Sequence, residues 1–193
     1  MITVGITGGI GSGKTTVANF FKDYGIPAYI ADLEAKKLMH QNPIKEEVLA
    51  LFGENSYTEQ QELNRKYIAA EVFDNKEKLN RLNAIVHPRV AEHFQNWLKN
   101  QNAPYVLYEA AILFETGRYK DFDYTILVTA PKKERIKRVQ NRDQTSEADI
   151  LSRMKNQWSD KKKMKLCDFL IKNDNLSKTK ERVSEIHEHI SKL

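Results

Sequence analysis

Short apolar runs alternate along the chain with longer segments in which apolar residues recur every three or four positions. The short runs are rich in β-branched residues and have the length of strands; they cover residues 2–7, 28–31, 105–109, 124–129 and 168–172. The segment after the first run shows the helical spacing, with Val17, Phe21 and Tyr24 on one face. Strands that alternate with helices form a parallel sheet with helices on both faces. The pattern therefore predicts an α/β protein of three layers with a five-stranded parallel sheet.

The segment between the second and third predicted strands is long and helical in pattern. Residues 43–86 contain apolar stripes at helical spacing, and no strand pattern interrupts them. His87-Pro88 follows, and because proline suits the first turn of a helix, a new helix is expected to begin there. His87 would then be a cap or turn residue, or it would contact a ligand. We predict a helical insertion in the α/β domain.

The loop after the first strand carries a phosphate-binding motif. Gly8-Gly9-Ile10-Gly11-Ser12-Gly13-Lys14-Thr15, called the phosphate loop below, matches G-x-x-x-x-G-K-[ST] between a predicted strand and a predicted helix. Glycines let the backbone curl so that N–H groups face phosphate oxygens, and the helix N-terminus adds positive charge. Lys14 is expected to reach the β- and γ-phosphates, and the Thr15 hydroxyl to ligate Mg²⁺. The expected ATP-binding residues are Gly9, Gly11, Ser12, Gly13, Lys14, Thr15 and Thr16.

Two other classes of nucleotide-binding protein are excluded by spacing. A dinucleotide fingerprint needs glycine at the sixth position, which is Lys14 or Thr16 in the registers that start at Gly9 or Gly11. A guanine-binding switch needs D-x-x-G and N-K-x-D, and the chain contains neither motif. A compact domain with a helical insertion favours a small-molecule kinase.

Charged side chains stand where ligands bind in open α/β sheets, at the carboxyl ends of strands. Asp32 follows the second strand, where it would either cap a helix or face the ligand. Glu109 ends the third strand at the position of a Walker-B acid. Arg135, Arg138 and Arg142 share one face of a predicted helix, which is either a solvated face or a cationic lid over ATP.

Composition and charge fit a small enzyme of the cytoplasm. The chain has 193 residues and a net charge of +5, and residues 132–165 alone hold twelve Lys or Arg against five Asp or Glu. This local excess suits a phosphorylated small ligand as well as a nucleic acid. The single cysteine, Cys167, fits a reducing compartment and a packed thiol. The strand that starts at the N-terminus and the lack of a long apolar run predict neither signal peptide nor membrane span.

The chain resembles the dephospho-coenzyme A kinase family over nearly its whole length. The matching stretches, in family order, are residues 5–15, 31–32, 82–88, 112–115 and 135–143, Arg153 with Gln157, and Asn173-Asp174. Two stretches depart from the family pattern. At the end of the third strand the family often has Asp and then usually proline and leucine before Phe-Glu, whereas this chain has Glu109 and Ala110-Ala111-Ile112. Asn175 stands where Gly is common. The phosphate loop alone is shared by many families, whereas its combination with Asp32 and His87-Pro88 is more specific.

The resemblance implies a reaction and a role for each segment of the chain. ATP and dephospho-CoA would give ADP and CoA with Mg²⁺, in a single kinase domain of residues 1–193. Within it, residues 37–85 would form a helical subdomain for dephospho-CoA, and residues 138–160 a lid. The implied catalytic residues are Asp32, Lys14 and Arg142, and Arg142 would also bind ATP. Asp32, His87 and Glu109 would bind the substrate, and Thr15 the metal ion.

Other functions remain open at the level of the residues alone. The chain could be a phosphate-loop kinase for a nucleoside, a nucleotide or another metabolite. It could also be an ATP-dependent binding module, which would not need a carboxylate such as Asp32 near the γ-phosphate. A nucleic-acid binder would use residues 132–165 and lose affinity steeply with salt. We expect a monomer that acts on a small molecule, without a nucleic-acid or membrane partner.

Overall fold

The structure is a computed structural model that describes residues 1–73 and 75–193. The chain divides into two compact units, one formed by Met1–Ile30 with Gln101–Leu193 and the other by Ala31–Asn100. The predicted subdomain of residues 37–85 falls within the second unit, and residue 74 lies outside the described residues. Among the residues that are described, no helix is long and apolar enough to cross a membrane.

The first unit is built on a parallel sheet. Its strands are β1 Ile2–Thr7, β2 Ala28–Ile30, β3 Tyr105–Glu109, β4 Tyr124–Thr129 and β5 Phe169–Lys172. Their order in the sheet is β2-β3-β1-β4-β5, and every pairing is parallel. The predicted α/β class and the five-stranded parallel sheet are confirmed. The third and fourth strands lie on opposite sides of β1, so the crevice beyond the carboxyl end of β1 is where a ligand is expected.

The helices are numbered here in chain order. They are α1 Lys14–Lys22, α2 Ala31–Leu38, α3 Ile44–Phe52, α4 Arg65–Phe73, α5 Lys76–Lys99, α6 Lys132–Asp143, α7 Glu147–Lys155, α8 Asp160–Lys163 and α9 Leu176–Ile190, with 3₁₀ turns at Glu54–Ser56 and Arg118–Asp121. The main core joins α1 and α9 to the central strands. Val17 and Phe21 of α1 and Val183 of α9 are fully buried against Val4 and Ile126. Burial of this apolar surface fixes the start of α1, and therefore the phosphate loop that precedes it.

The second unit corrects the predicted boundary at His87-Pro88. A single helix, α5, runs through both residues, with Pro88 inside it. His87 therefore lies within a helix, and its prediction as a cap or turn residue is wrong. Pro88 removes one backbone hydrogen bond, but Val86 and Val90 on either side of it are buried, and their packing favours continuation of the helix.

A short turn also interrupts the segment that was predicted to be wholly helical. Tyr57 and Leu63 form an isolated antiparallel bridge between α3 and α4. The Tyr57 hydroxyl donates a hydrogen bond to the backbone oxygen of Met39, which ties this turn to the residues after α2. Because Tyr57 is largely buried, its hydroxyl needs such a partner, and burial raises the pKa of Tyr57 to about 12.

Candidate phosphate-binding site

The phosphate loop links the carboxyl end of β1 to the first residue of α1. Gly13, the residue before the helix, has a φ of 88°, which an L side chain rarely adopts. A Cβ at Gly13 would also lie 2.1 Å from Asn173 Nδ2, and one at Gly9 would lie 2.0 Å from Arg135 Nη2. These glycines are required because side chains of later elements press against the loop from outside.

The two polar residues that begin α1 have different hydrogen-bond partners. The Lys14 ammonium group donates to the backbone oxygen of Gly8 at 3.0 Å. The Thr15 hydroxyl donates to Glu109 Oε2 at 3.1 Å. Glu109 ends β3, is 4% exposed, and pairs in register with Ile6 of β1. The strand register thus brings a buried carboxylate to the hydroxyl that was predicted to bind the metal ion.

A cavity of about 390 Å³ opens over the N-terminus of α1. Its lining comes from the phosphate loop and α6, namely Gly11, Gly13, Lys14, Thr15, Thr16, Arg138, Val139 and Arg142. Most of the predicted ATP-binding residues therefore meet at one cavity. Gly9 and Ser12 are not among the lining residues, and the Ser12 side chain is fully buried. A helix N-terminus, a lysine and two arginines make this cavity suitable for a polyphosphate.

The three arginines of α6 do not act alike. Arg135 was predicted to belong to a solvated face or a cationic lid, and both interpretations are wrong for it. Its side chain is only 11% exposed; Nε donates to the backbone oxygen of Ile10 at 2.8 Å, and Nη1 pairs with Asp160 at 3.2 Å. Arg135 supports the phosphate loop from outside the cavity.

Arg138 and Asn173 support the next part of the loop. Asn173 follows β5 directly, is buried, and donates from Nδ2 to the backbone oxygen of Ser12 at 2.9 Å. Arg138 Nη2 donates to the backbone oxygen of Asn173 at 2.9 Å, and Nη1 lies 3.4 Å from the same Ser12 oxygen. Two side chains thus donate to the Ser12 carbonyl oxygen and hold the peptide before Gly13.

Arg142 is the exposed member of the arginine face. It is 64% exposed and forms two hydrogen bonds with Asp143, from Nε to Oδ1 at 2.7 Å and from Nη2 to Oδ2 at 3.0 Å. These hydrogen bonds, aided by the negative charge of Asp143 and opposed by partial burial, raise the pKa of Arg142. The guanidinium is therefore charged at the mouth of the cavity, where a phosphate group could exchange with Asp143.

Asp32 and His87 belong to the second unit. Asp32 lies in the first turn of α2, which begins at Ala31 directly after β2. It is thus inside the helix, so the alternative that it serves as the N-cap does not fit. Its negative charge is still favourable near the N-terminus of a helix. His87 is partly buried in the middle of α5.

The sequence patterns around Gln157 and Asn173 predict for neither residue a place at the phosphate loop. Asn173 was open to prediction, because it follows a predicted strand at the ligand-binding edge of a parallel sheet. Gln157 was not open to prediction. It lies between two short helices, and its side chain accepts a hydrogen bond from the Ile10 N–H at 2.9 Å. No pattern in the sequence indicates that contact.

Comparison with known proteins connects this geometry to one family. A family model described as dephospho-CoA kinase matches residues 2–179. A dephospho-CoA kinase of Salinibacter ruber is 39% identical over 178 residues, which cover 90% of this chain and 89% of the relative. The family match over residues 2–179 includes the phosphate loop, the helical segment and the strand before Asn173.

Solved structures share the fold over the whole chain. A crystal structure of a protein from Thermus thermophilus superposes with a TM-score of 0.89 at 34% identity and covers 97% of this chain and 96% of its own. A dephospho-CoA kinase from Campylobacter jejuni gives a TM-score of 0.69 at 27% identity, with 98% and 97% covered.

Proposed function

This chain belongs to the dephospho-CoA kinase family, and we propose that it transfers the γ-phosphoryl group of ATP to the ribose 3′-hydroxyl of dephospho-CoA. The observation that supports the mechanism is the cavity over α1, which Lys14, Thr15 and Arg142 line together with Gly11 and Gly13 of the phosphate loop. Phosphoryl transfer depends mainly on in-line positioning and on stabilisation of charge on the transferred group. The residues around this cavity are suited to both tasks.

Lys14 and the loop N–H groups hold the β- and γ-phosphates. The side chains of Arg135, Arg138 and Asn173 hold the loop, so its N–H groups do not need to reorganise when ATP binds. Such preorganisation matters because each donor acts on charge that develops in the transition state.

The residues beside Thr15 fit a magnesium ion. Mg²⁺ prefers oxygen ligands and usually takes one or two from protein, together with phosphates and waters. The Thr15 hydroxyl would supply such an oxygen, and the buried Glu109 carboxylate accepts its hydrogen at 3.1 Å, which leaves the hydroxyl lone pairs for the ion. When bound, the ion neutralises charge on the phosphate oxygens. We assign Thr15 to the ion and Glu109 to the orientation of Thr15, in place of the substrate contact expected for Glu109.

Asp32 and His87 act on the acceptor substrate in this proposal. Asp32 orients the 3′-hydroxyl and accepts its proton as the phosphoryl group is transferred. A carboxylate two residues beyond a strand end suits this role, because ligands of open α/β sheets bind at that edge. His87 and residues 37–85 bind other parts of dephospho-CoA. Within the predicted lid, residues 138–160, the part that does not already hold the phosphate loop closes over ATP. The protein acts as a monomer in the cytoplasm, which the single cysteine fits.

A comparison of acceptors tests the function. With ATP and Mg²⁺, we expect rapid ADP release with dephospho-CoA and only background release with adenosine, AMP or shikimate. A coupled ADP-release assay with the four compounds side by side provides the measurement. Faster release with any of the other three would contradict the assignment and favour another phosphate-loop kinase.

The lid proposal predicts a specific effect for Arg142→Ala. We expect turnover to fall about tenfold. This is less than the 10²- to 10³-fold fall that follows removal of a hydrogen-bond donor from a water-excluded site, because the Arg142 guanidinium is largely exposed. ATP affinity should change less than turnover, since the lid acts mainly on the transferring group. Steady-state kinetics and a binding titration with the ATP analogue AMP-PNP give both quantities.

Lys137→Ala is the matched control for this variant. Lys137 lies on the same helix, is exposed, and does not line the cavity, so its replacement removes the same charge without touching the site. Equal effects of the two substitutions would indicate a general electrostatic influence of α6 and would contradict a specific role for Arg142.

A further inference from the structure

We propose that Gln157 is a positioning residue for ATP, which acts by holding the phosphate loop at Ile10. The inference rests on the proposed function and extends it to a residue outside the cavity. Gln157 lies in the connection between α7 and α8, residues 156–159, which is called the α7–α8 connection below. Its side chain reaches back to the first loop of the fold, 147 residues earlier in the chain.

Both backbone groups of Ile10 are bound by side chains from distant elements. The N–H donates to Gln157 Oε1 at 2.9 Å, and the carbonyl oxygen accepts from Arg135 Nε at 2.8 Å. Ile10 is flanked by Gly9 and Gly11, which place few restrictions on the backbone. The two hydrogen bonds therefore fix the orientation of the peptide groups on each side of Ile10.

Gln157 is itself held in place by its neighbours. The N–H of Trp158 donates to Glu115 Oε1 at 2.9 Å, and the same oxygen lies 2.7 Å from the ammonium group of Lys163. Lys163 is fully buried, so this ion pair anchors α8 as well as the α7–α8 connection. At the start of α8, Asp160 pairs with Arg135. The connection is thus held at Trp158 and α8 at Asp160, so the chain directly after Gln157 is tied at two points.

This arrangement has a consequence for ATP binding. A loop with several glycines samples many conformations, and only those with inward N–H groups bind phosphates. The apparent affinity falls with the fraction of loops in the competent conformation. By restraining Ile10, Gln157 raises that fraction before ATP arrives. The effect should therefore appear in ATP affinity and be small in the chemical step once ATP is saturating.

Gln157→Leu removes the acceptor while it keeps a side chain of similar size. A neutral hydrogen bond contributes enough to correspond to roughly a 2- to 10-fold change in an equilibrium constant. We therefore expect KM for ATP and Kd for AMP-PNP to rise by about that factor. At saturating ATP, kcat and KM for dephospho-CoA should stay within about twofold of the wild type, because the variant is fully bound.

Ser159→Ala is the matched control. Ser159 lies two residues away in the same connection, and its hydroxyl accepts from the Lys162 N–H at 3.3 Å, within the first turn of α8. This variant also loses one hydrogen bond between a side chain and the backbone, but it does not touch Ile10. We expect its KM for ATP to match that of the wild type.

Amide hydrogen exchange at Ile10, measured by NMR, separates a local effect from general loosening. In Gln157→Leu we expect faster exchange at Ile10 with unchanged exchange at the strand amides of β1 and β4. Faster exchange throughout the sheet, or an equal rise of KM in Ser159→Ala, would reduce Gln157 to a structural residue and overturn the inference. An unchanged KM and Kd would do so as well.

The wild-type assay keeps the two proposals apart. A wild-type protein that phosphorylates dephospho-CoA, with an unaffected Gln157→Leu variant, refutes only the role of Gln157. A wild-type protein inactive on dephospho-CoA refutes the proposed function, whereas the AMP-PNP titration and the Ile10 exchange still report whether Gln157 holds the loop.

Discussion

Replacement of Asp32 by Asn is expected to lower the turnover of dephospho-CoA by roughly 10²- to 10⁴-fold, the usual contribution of a positioned general base. The variant keeps the size of the side chain and removes both the negative charge and the proton acceptor. Affinity for AMP-PNP should barely change, because the proposed nucleotide site is the cavity lined by the phosphate loop and α6, and Asp32 is not among its lining residues. Steady-state turnover and a binding titration on the same preparation provide the measurement.

Asp32→Asn should lower the stability of the fold only slightly, and a control variant in the same helix can measure this loss. Asp32 and Glu34 are both acidic residues in the first turn of α2, where a negative charge contributes about 0.3–1 kcal/mol. Glu34→Gln removes the same charge from the same turn, together with the pairing of Glu34 with Lys37, so it reproduces the electrostatic loss. Similar melting temperatures with a large difference in turnover would support the role of Asp32. Equal turnover of the two variants would contradict a catalytic role for Asp32.

Replacement of Lys14 by Ala is expected to lower turnover by roughly 10²- to 10³-fold, as for other electrostatic donors in active sites. The Lys14 ammonium group supplies positive charge at the cavity and also donates to the backbone oxygen of Gly8. The fold should persist, because the core of α1 is formed by Val17, Ala18 and Phe21. Thermal melting and turnover together separate the loss of function from unfolding.

Lys22→Ala is the control for the loss of charge on α1. Lys22 is exposed in the last turn of the same helix, away from the phosphate loop. We expect nearly normal turnover for this variant. If Lys14→Ala also retained normal turnover, the phosphate loop could not bind ATP in the way that its geometry indicates.

Local patterns were sufficient for the architecture and for the phosphate loop. The runs at β1, β3 and β4 predicted strands with the observed bounds, because buried parallel strands need continuous apolar residues. The phosphate loop was equally clear, since its chemistry depends on consecutive residues. Membership in the dephospho-CoA kinase family, predicted from motifs spread along the chain, is confirmed by the family match over residues 2–179.

The errors arose where packing outweighed local preference. Proline at position 88 favoured the start of a helix, yet α5 continues through it because residues on both sides are buried. Arg135 has the spacing of a surface arginine, yet the phosphate loop and Asp160 enclose it. Spacing along a helix shows which residues share a face, but it does not show which other parts of the fold contact that face.

The sequence by itself determined the α/β class, the five parallel strands and the phosphate loop, because continuous apolar runs and a motif of consecutive residues mark them. Only the tertiary structure decided how the loop is supported. Gln157 and Arg135 reach Ile10, and Asn173 reaches Ser12, across 125 to 161 positions of the chain. Hydrogen bonds of this kind join a side chain to backbone atoms that every residue carries. The sequence therefore does not show which backbone group a given side chain will bind. That partner is decided only when the chain folds.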